Sequence, residues 1–103
     1  MLPDYSHQDH NMKKVTDYIF SQSWQLEQLN LVQGADYIVL NNMGDLRKGK
    51  IVKFAGFDDV DNHYGIFVFT DATGKVIEVK GDFSGRNHPN IKQLELAIKR
   101  YSL

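Results

Sequence analysis

Three groups of side chains in this sequence have types and spacings that could do chemistry. The first is His7-Gln8-Asp9-His10. On a helix His7 and His10 would share a face, and imidazole is a ligand for zinc or copper. A ligand pair in a ragged polar lead lacks the preorganisation a metal site needs, so no metal and no cofactor is expected there. The second group is Asp58, Asp59, Asp61 and His63. Their oxygens suit a hard cation, but the run lacks the alternating acids, central glycine and closing glutamate of a calcium loop. It reads instead as a solvated acidic connection over 57–63, a surface suited to a basic protein partner. The third group is basic: Arg47, Lys48, Lys50 and Lys53, joined by Lys75 and Lys80 if the chain folds them together. Such a patch could follow a nucleic-acid backbone, with aromatic rings as stacking platforms. The acids at 58, 59, 61 and 82 work against a continuous positive field.

A hydrolase needs a positioned nucleophile, a base and an oxyanion site. Ser84 sits in a loop between Phe83 and Gly85, and no nucleophile elbow or histidine–glutamate metal motif is present. Asp82 and His63 would make an acid–base pair if the sheet brought them together. The simpler role for Asp82 is to cap the turn after the fourth strand. No catalytic residue is therefore assigned, and the chain reads as a non-enzyme.

Composition narrows the classes further. The 103 residues make one domain, and 42% apolar residues suffice for one core. Twelve basic against thirteen acidic side chains leave a formal charge of −1, which gives no general pull toward nucleic acid or anionic membrane. There is no cysteine, so disulfides, thiolate catalysis and cysteine zinc sites are excluded. No run of apolar residues is long enough to span a membrane. The first residues show neither a basic nor an apolar signal region, so the expected location is cytoplasmic.

Two helical patterns flank a β-rich middle. Ser6 and Asp9 are spaced like a capping box, and Met12, Val15, Ile19, Leu26 and Leu29 follow at helical steps, broken by Gln22. This spacing predicts a helix over about 9–29. Phe20 and Trp24 stand at i, i+4 beside that stripe, either as core or as aromatic anchors for a partner or for a symmetric helix–helix homodimer. Asp36–Leu40, Ile51–Phe57, Tyr64–Thr70 and Val76–Lys80 read as four strands within a sheet over about 36–80. The unbroken apolar run Ile66-Phe67-Val68-Phe69 suggests a central strand covered on both sides. Gly56 inside the second strand suggests a bulge, and Asp71-Ala72-Thr73-Gly74 a hairpin turn. Pro89 opens a second helix over about 89–101, with Ile91, Leu94, Ile98 and Tyr101 on one stripe.

Gly34…Tyr37-Ile38-Val39, Lys48-Gly49, Val52-Lys53-Phe54-Ala55-Gly56-Phe57, Phe67-Val68-Phe69-Thr70-Asp71 and Gly81-Asp82 together resemble a group of uncharacterised bacterial small SH3-like β-barrel domains. The resemblance covers about half the chain and implies a fold without an assigned activity, in a class that mostly binds peptides, nucleic acids or other proteins. The loop 41–48 has no aromatic residue, a departure from the peptide-binding members of that class. The expectation is thus an α+β domain: an N-terminal helix, a four-stranded antiparallel sheet or small SH3-like barrel, and a C-terminal helix. Its function would be protein–protein interaction through Phe20, Trp24, Asp58, Asp59 and Asp61, of the type served by immunity or accessory proteins of bacterial mobile elements. The alternative is nucleic-acid binding through Arg47, Lys48, Lys50 and Lys53.

Overall fold

Five antiparallel strands form one open sheet in the order β4-β3-β2-β1-β5. They are β1 (Asp36–Val39), β2 (Ile51–Asp61), β3 (Tyr64–Thr70), β4 (Val76–Gly81) and β5 (Ile98–Arg100). Two helices, α1 (Trp24–Gln28) and α2 (Pro89–Ala97), complete this α+β domain. The computed structural model describes residues 13–102. The expected capping box at Ser6 and Asp9 and the histidines at 7 and 10 lie outside them.

The inner face of the sheet carries the aromatic core. Alternation along β3, and along β2 once its bulge at Gly56 adds a residue, directs Phe54, Phe57, Phe67 and Phe69 to this face, and all four are buried. The Phe57 and Phe67 rings stack at 4.3 Å, and Phe83 meets Phe67 edge-on at 4.6 Å. Leu26 and Leu29 of the α1 region and Ile91, Leu94 and Ala97 of α2 close over them. β3 is an interior strand, as its apolar run implies, but β2 is the central one. The bulge falls where Gly56 suggested: the β2–β3 register shifts between Phe54 and Gly56. The turn before Lys75 closes with Gly74 at φ +87° and its N–H bonded to the Asp71 carbonyl, a conformation that favours glycine there.

Two expectations about helices are corrected. The helix over 9–29 is not formed across its described part. A single 3-10 turn at Val15–Asp17 gives way to extended chain, and only Trp24–Gln28 is α-helical. Val15-Thr16-Asp17-Tyr18-Ile19-Phe20-Ser21 is rich in β-branched, aromatic and hydroxyl residues, the weaker helix formers. Tyr18-Ile19-Phe20 uses period two instead. Tyr18 and Phe20 turn toward the outer face of the sheet and stack at 6.0 Å, while Ile19 is left 84% exposed. The second helix begins at Pro89 as expected but ends at Ala97 rather than near 101. Ile98-Lys99-Arg100 leaves it to become β5, because β1 has a free edge there to pair with. The Leu40 N–H donates to the Ala97 carbonyl at 2.6 Å, and the Tyr101 N–H to the Asp36 carbonyl at 2.9 Å. Ile98 still reaches the core, opposite Val39, through strand geometry instead of helix spacing.

Beyond the bulge, residues 13–21 lie across the outer face as a strap. The Ser21 N–H donates to the Phe57 carbonyl at 2.9 Å. The Phe20 ring covers Gly56 so closely that a Cβ there would stand 2.6 Å from ring carbons. The Tyr18 hydroxyl donates to Glu78 Oε2 at 2.5 Å, and Lys13 and Lys80 reach the same carboxylate at 3.2 and 3.4 Å. Burial pushes the Glu78 carboxyl up. The hydrogen bonds from Tyr18 and Lys13 and the charges of Lys13 and Lys80 outweigh it and hold the group below the ordinary carboxylate range. Burial, then the neighbouring Glu78 carboxylate, pushes the Tyr18 phenol well above its ordinary value.

Candidate functional site

β2 is the spine of two contrasting surfaces. Its eleven residues, at about 3.3 Å each, put its ends roughly 33 Å apart. At the far end it forms a hairpin with β3, and its last residues before the turn carry the acids. The expected loop over 57–63 is therefore corrected: β2 continues as strand to Asp61 and only Asn62 and His63 turn the chain. The Asp61 carboxylate caps that turn by accepting the His63 N–H at 2.8 Å. Asp58 is half-buried, 3.4 Å from the Ile19 N–H, whereas Asp59, Val60 and Asp61 are exposed. β1 pairs with β2 only as far as Asp36↔Lys53, and β4 with β3 only as far as Gly65↔Gly81. The hairpin tip thus extends past the end of the β1 ladder, while β4 runs beside β3 up to the level of Val60, which is 49% exposed between two carboxylates.

Asp82 lies beside this tip and caps the turn after the fourth strand, the simpler of the two roles that the sequence suggested. Its Oδ1 accepts the Ser84 hydroxyl at 2.6 Å and the Ser84 N–H at 3.0 Å, which caps the turn. Its Oδ2 faces His63 Nδ1 at 3.9 Å and His88 Nε2 at 3.7 Å. The two hydrogen bonds from Ser84 hold the Asp82 carboxyl below its ordinary range, with the nearby imidazoles adding to the effect. His88 is further committed, since its Nδ1 caps α2 by accepting the Asn90 N–H at 3.1 Å. Ser84 is held by Asp82 rather than by a base. Among the described residues no group of three or more histidines and acids is arranged to hold a metal.

At the near end of β2 the chain forms a notch of about 720 Å³ between the 45–51 segment and the β3–β4 turn. Arg47, Lys50 and Lys75 line it, with Asp45 and Asp71, over an apolar floor that includes Ile51 and Val76. That volume lies within the roughly 300–1,000 Å³ of ordinary ligand pockets. Arg47 is held by its own loop, its Nη1 donating to the Gly44 and Leu46 carbonyls at 2.7 and 3.1 Å. Asp71 Oδ1 accepts the Thr73 hydroxyl and the N–H groups of Thr73 and Lys75, the first of these bonds being the main reason its carboxyl is held low.

The fold gathers only part of the basic set named from the sequence. Arg47 and Lys50 meet in the notch and gain Lys75. Lys48 does not line it; its N–H is bonded to Asn42 at 2.7 Å. Lys53 is held on the outer face by Asp36 and the Gly34 carbonyl, both at 3.2 Å, and Lys80 by Glu78. No aromatic ring lines the notch. Phe20 and Trp24 do not form a helical pair. Phe20 sits on Gly56, and Trp24 packs half-buried against the core with the Arg86 guanidinium 4.6 Å above its ring. Both are half-buried against their own chain, and the helix expected to carry them as a pair is not formed.

No family model, curated protein or solved structure matches this chain. The notch itself was missed in the sequence, because it arises from an offset between strands. β2 begins before the position at which β3 stops, since Thr70 is already opposite Lys53. Among the described residues no helix is long and apolar enough to cross a membrane.

Proposed function

We propose that this chain is a non-enzymatic protein–protein interaction module that docks through the acidic tip of its β2–β3 hairpin. The observation that carries the reading is the exposure of Asp59, Val60 and Asp61 at a hairpin end that extends past the β1 ladder. Two carboxylates around an exposed valine offer charge for steering and an apolar contact for the docked state. A basic protein surface is the complementary partner, as an immunity or accessory protein would meet on a cationic toxin. Phe20 and Trp24 support the module from within instead of forming its contact surface.

Binding of nucleic acid through Arg47, Lys50 and Lys75 is the second reading, favoured by their convergence in one notch. Against it stand the absence of a stacking ring in the notch and the commitment of Lys53 to Asp36. The test is a pull-down from the host with the wild type and with Asp59→Lys/Asp61→Lys in parallel. A protein retained by the wild type and lost with the variant supports the tip as the docking element. The same proteins on both, or a nucleic acid retained by both, overturns it.

A further inference from the structure

We infer that the notch receives the acidic hairpin tip of a second copy of this chain, so that the protein assembles head to tail. The inference rests on the reading of the tip as a docking element, and it names the partner.

The first argument is an open backbone slot. Lys50 and Phe54 bond across to the β1 side: the Val39 N–H donates to the Lys50 carbonyl, and Phe54 exchanges bonds with Gly34 and Ala35. By antiparallel alternation, Ile51 turns its N–H and C=O the other way, toward β3. There β3 has already ended at Thr70, opposite Lys53. The main chain of Ile51 therefore faces the notch and can accept an extended segment by strand addition. Such a slot selects polypeptide over a nucleic-acid backbone.

The second argument is complementarity. Arg47, Lys50 and Lys75 outnumber Asp45 and Asp71 around the notch, and Asp71 Oδ1 is already engaged by its own turn. The tip brings Asp59, the Asp61 oxygen not bonded to the His63 N–H, and Val60 between them to meet Ile51 and Val76. Both surfaces are exposed, and the tip is a strand end of the kind the slot would pair.

The third argument is geometric. Tip and notch terminate the same strand at opposite ends, so they cannot meet within one molecule. The contact joins unlike surfaces, and after one contact the pair keeps one free tip on one copy and one free notch on the other. Such a contact between unlike surfaces closes into a ring, of which the reciprocal pair of two copies is the smallest, or extends as a filament.

The test uses one-ended variants of the full chain, studied by light scattering coupled to size exclusion at low salt. Asp59→Lys/Asp61→Lys disables the tip, and Lys50→Gln/Lys75→Gln disables the notch. All four positions are exposed, and matching melting curves confirm that the variants fold. The wild type should associate into species of two or more chains as concentration rises, and less so at high salt. Each variant alone should associate at least tenfold more weakly and run as a monomer. An equimolar mixture has one intact tip and one intact notch, and should give a species of two chains and nothing larger. A wild type that stays monomeric overturns the head-to-tail contact while leaving the foreign-partner reading to the pull-down. Assembly that survives the tip variant, or a mixture that yields no two-chain species, also overturns it.

Discussion

The two faces of the same sheet are covered in opposite ways. The inner face is sealed by apolar side chains of α1, α2 and β5 over a cluster of phenylalanines. The outer face is crossed by a strap that depends on one aromatic ring seated on Gly56 and one hydroxyl bonded to Glu78. Burial of area is insensitive to pH and salt, whereas a carboxylate and its neighbours respond to both. The inner cover thus makes the fold, and the outer cover can be loosened without losing it.

The largest expected effect lies on the inner face. Phe67→Ala should cost about 3–5 kcal/mol, because the ring is fully buried among Phe54, Phe57 and Phe83 and leaves a cavity. Chemical denaturation reads this directly, and a loss near 1 kcal/mol would show the aromatic cluster to be loosely packed. On the outer face, Gly56→Ala should cost roughly 1–3 kcal/mol, because its methyl enters the space of the Phe20 ring. The strap must then lift while the core persists. Faster amide exchange at Ser21, with β3 still protected, is the expected readout; equal loss in both regions would join the two covers into one unit.

Tyr18→Phe should cost less, about 1 kcal/mol, by removing the hydroxyl that Glu78 accepts. The same contact sets a pH dependence. The Glu78 carboxyl is held low in the folded chain, so its contribution is complete above the ordinary carboxylate value. It is lost as pH falls from there through the lowered folded value. The Tyr18 phenol is held high, so its contribution is complete at neutral pH and fades as pH rises past the ordinary phenol value. A melting curve followed against pH should drop on the acid side less steeply in Tyr18→Phe than in the wild type. Parallel acid limbs would remove Glu78 from the account. Asp59→Lys/Asp61→Lys should change stability least, by under about 1 kcal/mol, since both side chains are exposed and only the Asp61 bond to the His63 N–H is lost. That small effect is what makes the pair a clean probe of docking.

Much of the sheet was legible in sequence, and the reasons are local. Alternation in Val76–Lys80, the Asp71–Gly74 turn, the glycine bulge and the proline at the head of α2 are short-range signals, and each appears in the fold. The N-terminal helix was not legible, because helical spacing of Val15, Ile19 and Leu26 coexists with two-residue alternation of Tyr18 and Phe20. The sheet decides between them by offering Gly56 as a seat for a ring. The end of α2 was misplaced for a similar reason: Ile98 satisfies both a helical stripe and a strand, and the free edge of β1 selects the strand.

The site divides along the same line. Residue types alone identified the acids at 58, 59 and 61 and the bases at 47 and 50 as charged surfaces. They also set the chemistry that is absent, since a chain without cysteine has no thiol. Only the tertiary structure put Asp59 and Asp61 at an exposed hairpin end, recruited Lys75 to Arg47 and Lys50, and withdrew Lys53 to Asp36. Side-chain identity is carried by the residue itself, whereas the notch depends on where one strand stops beside another, a property of pairs distant in sequence.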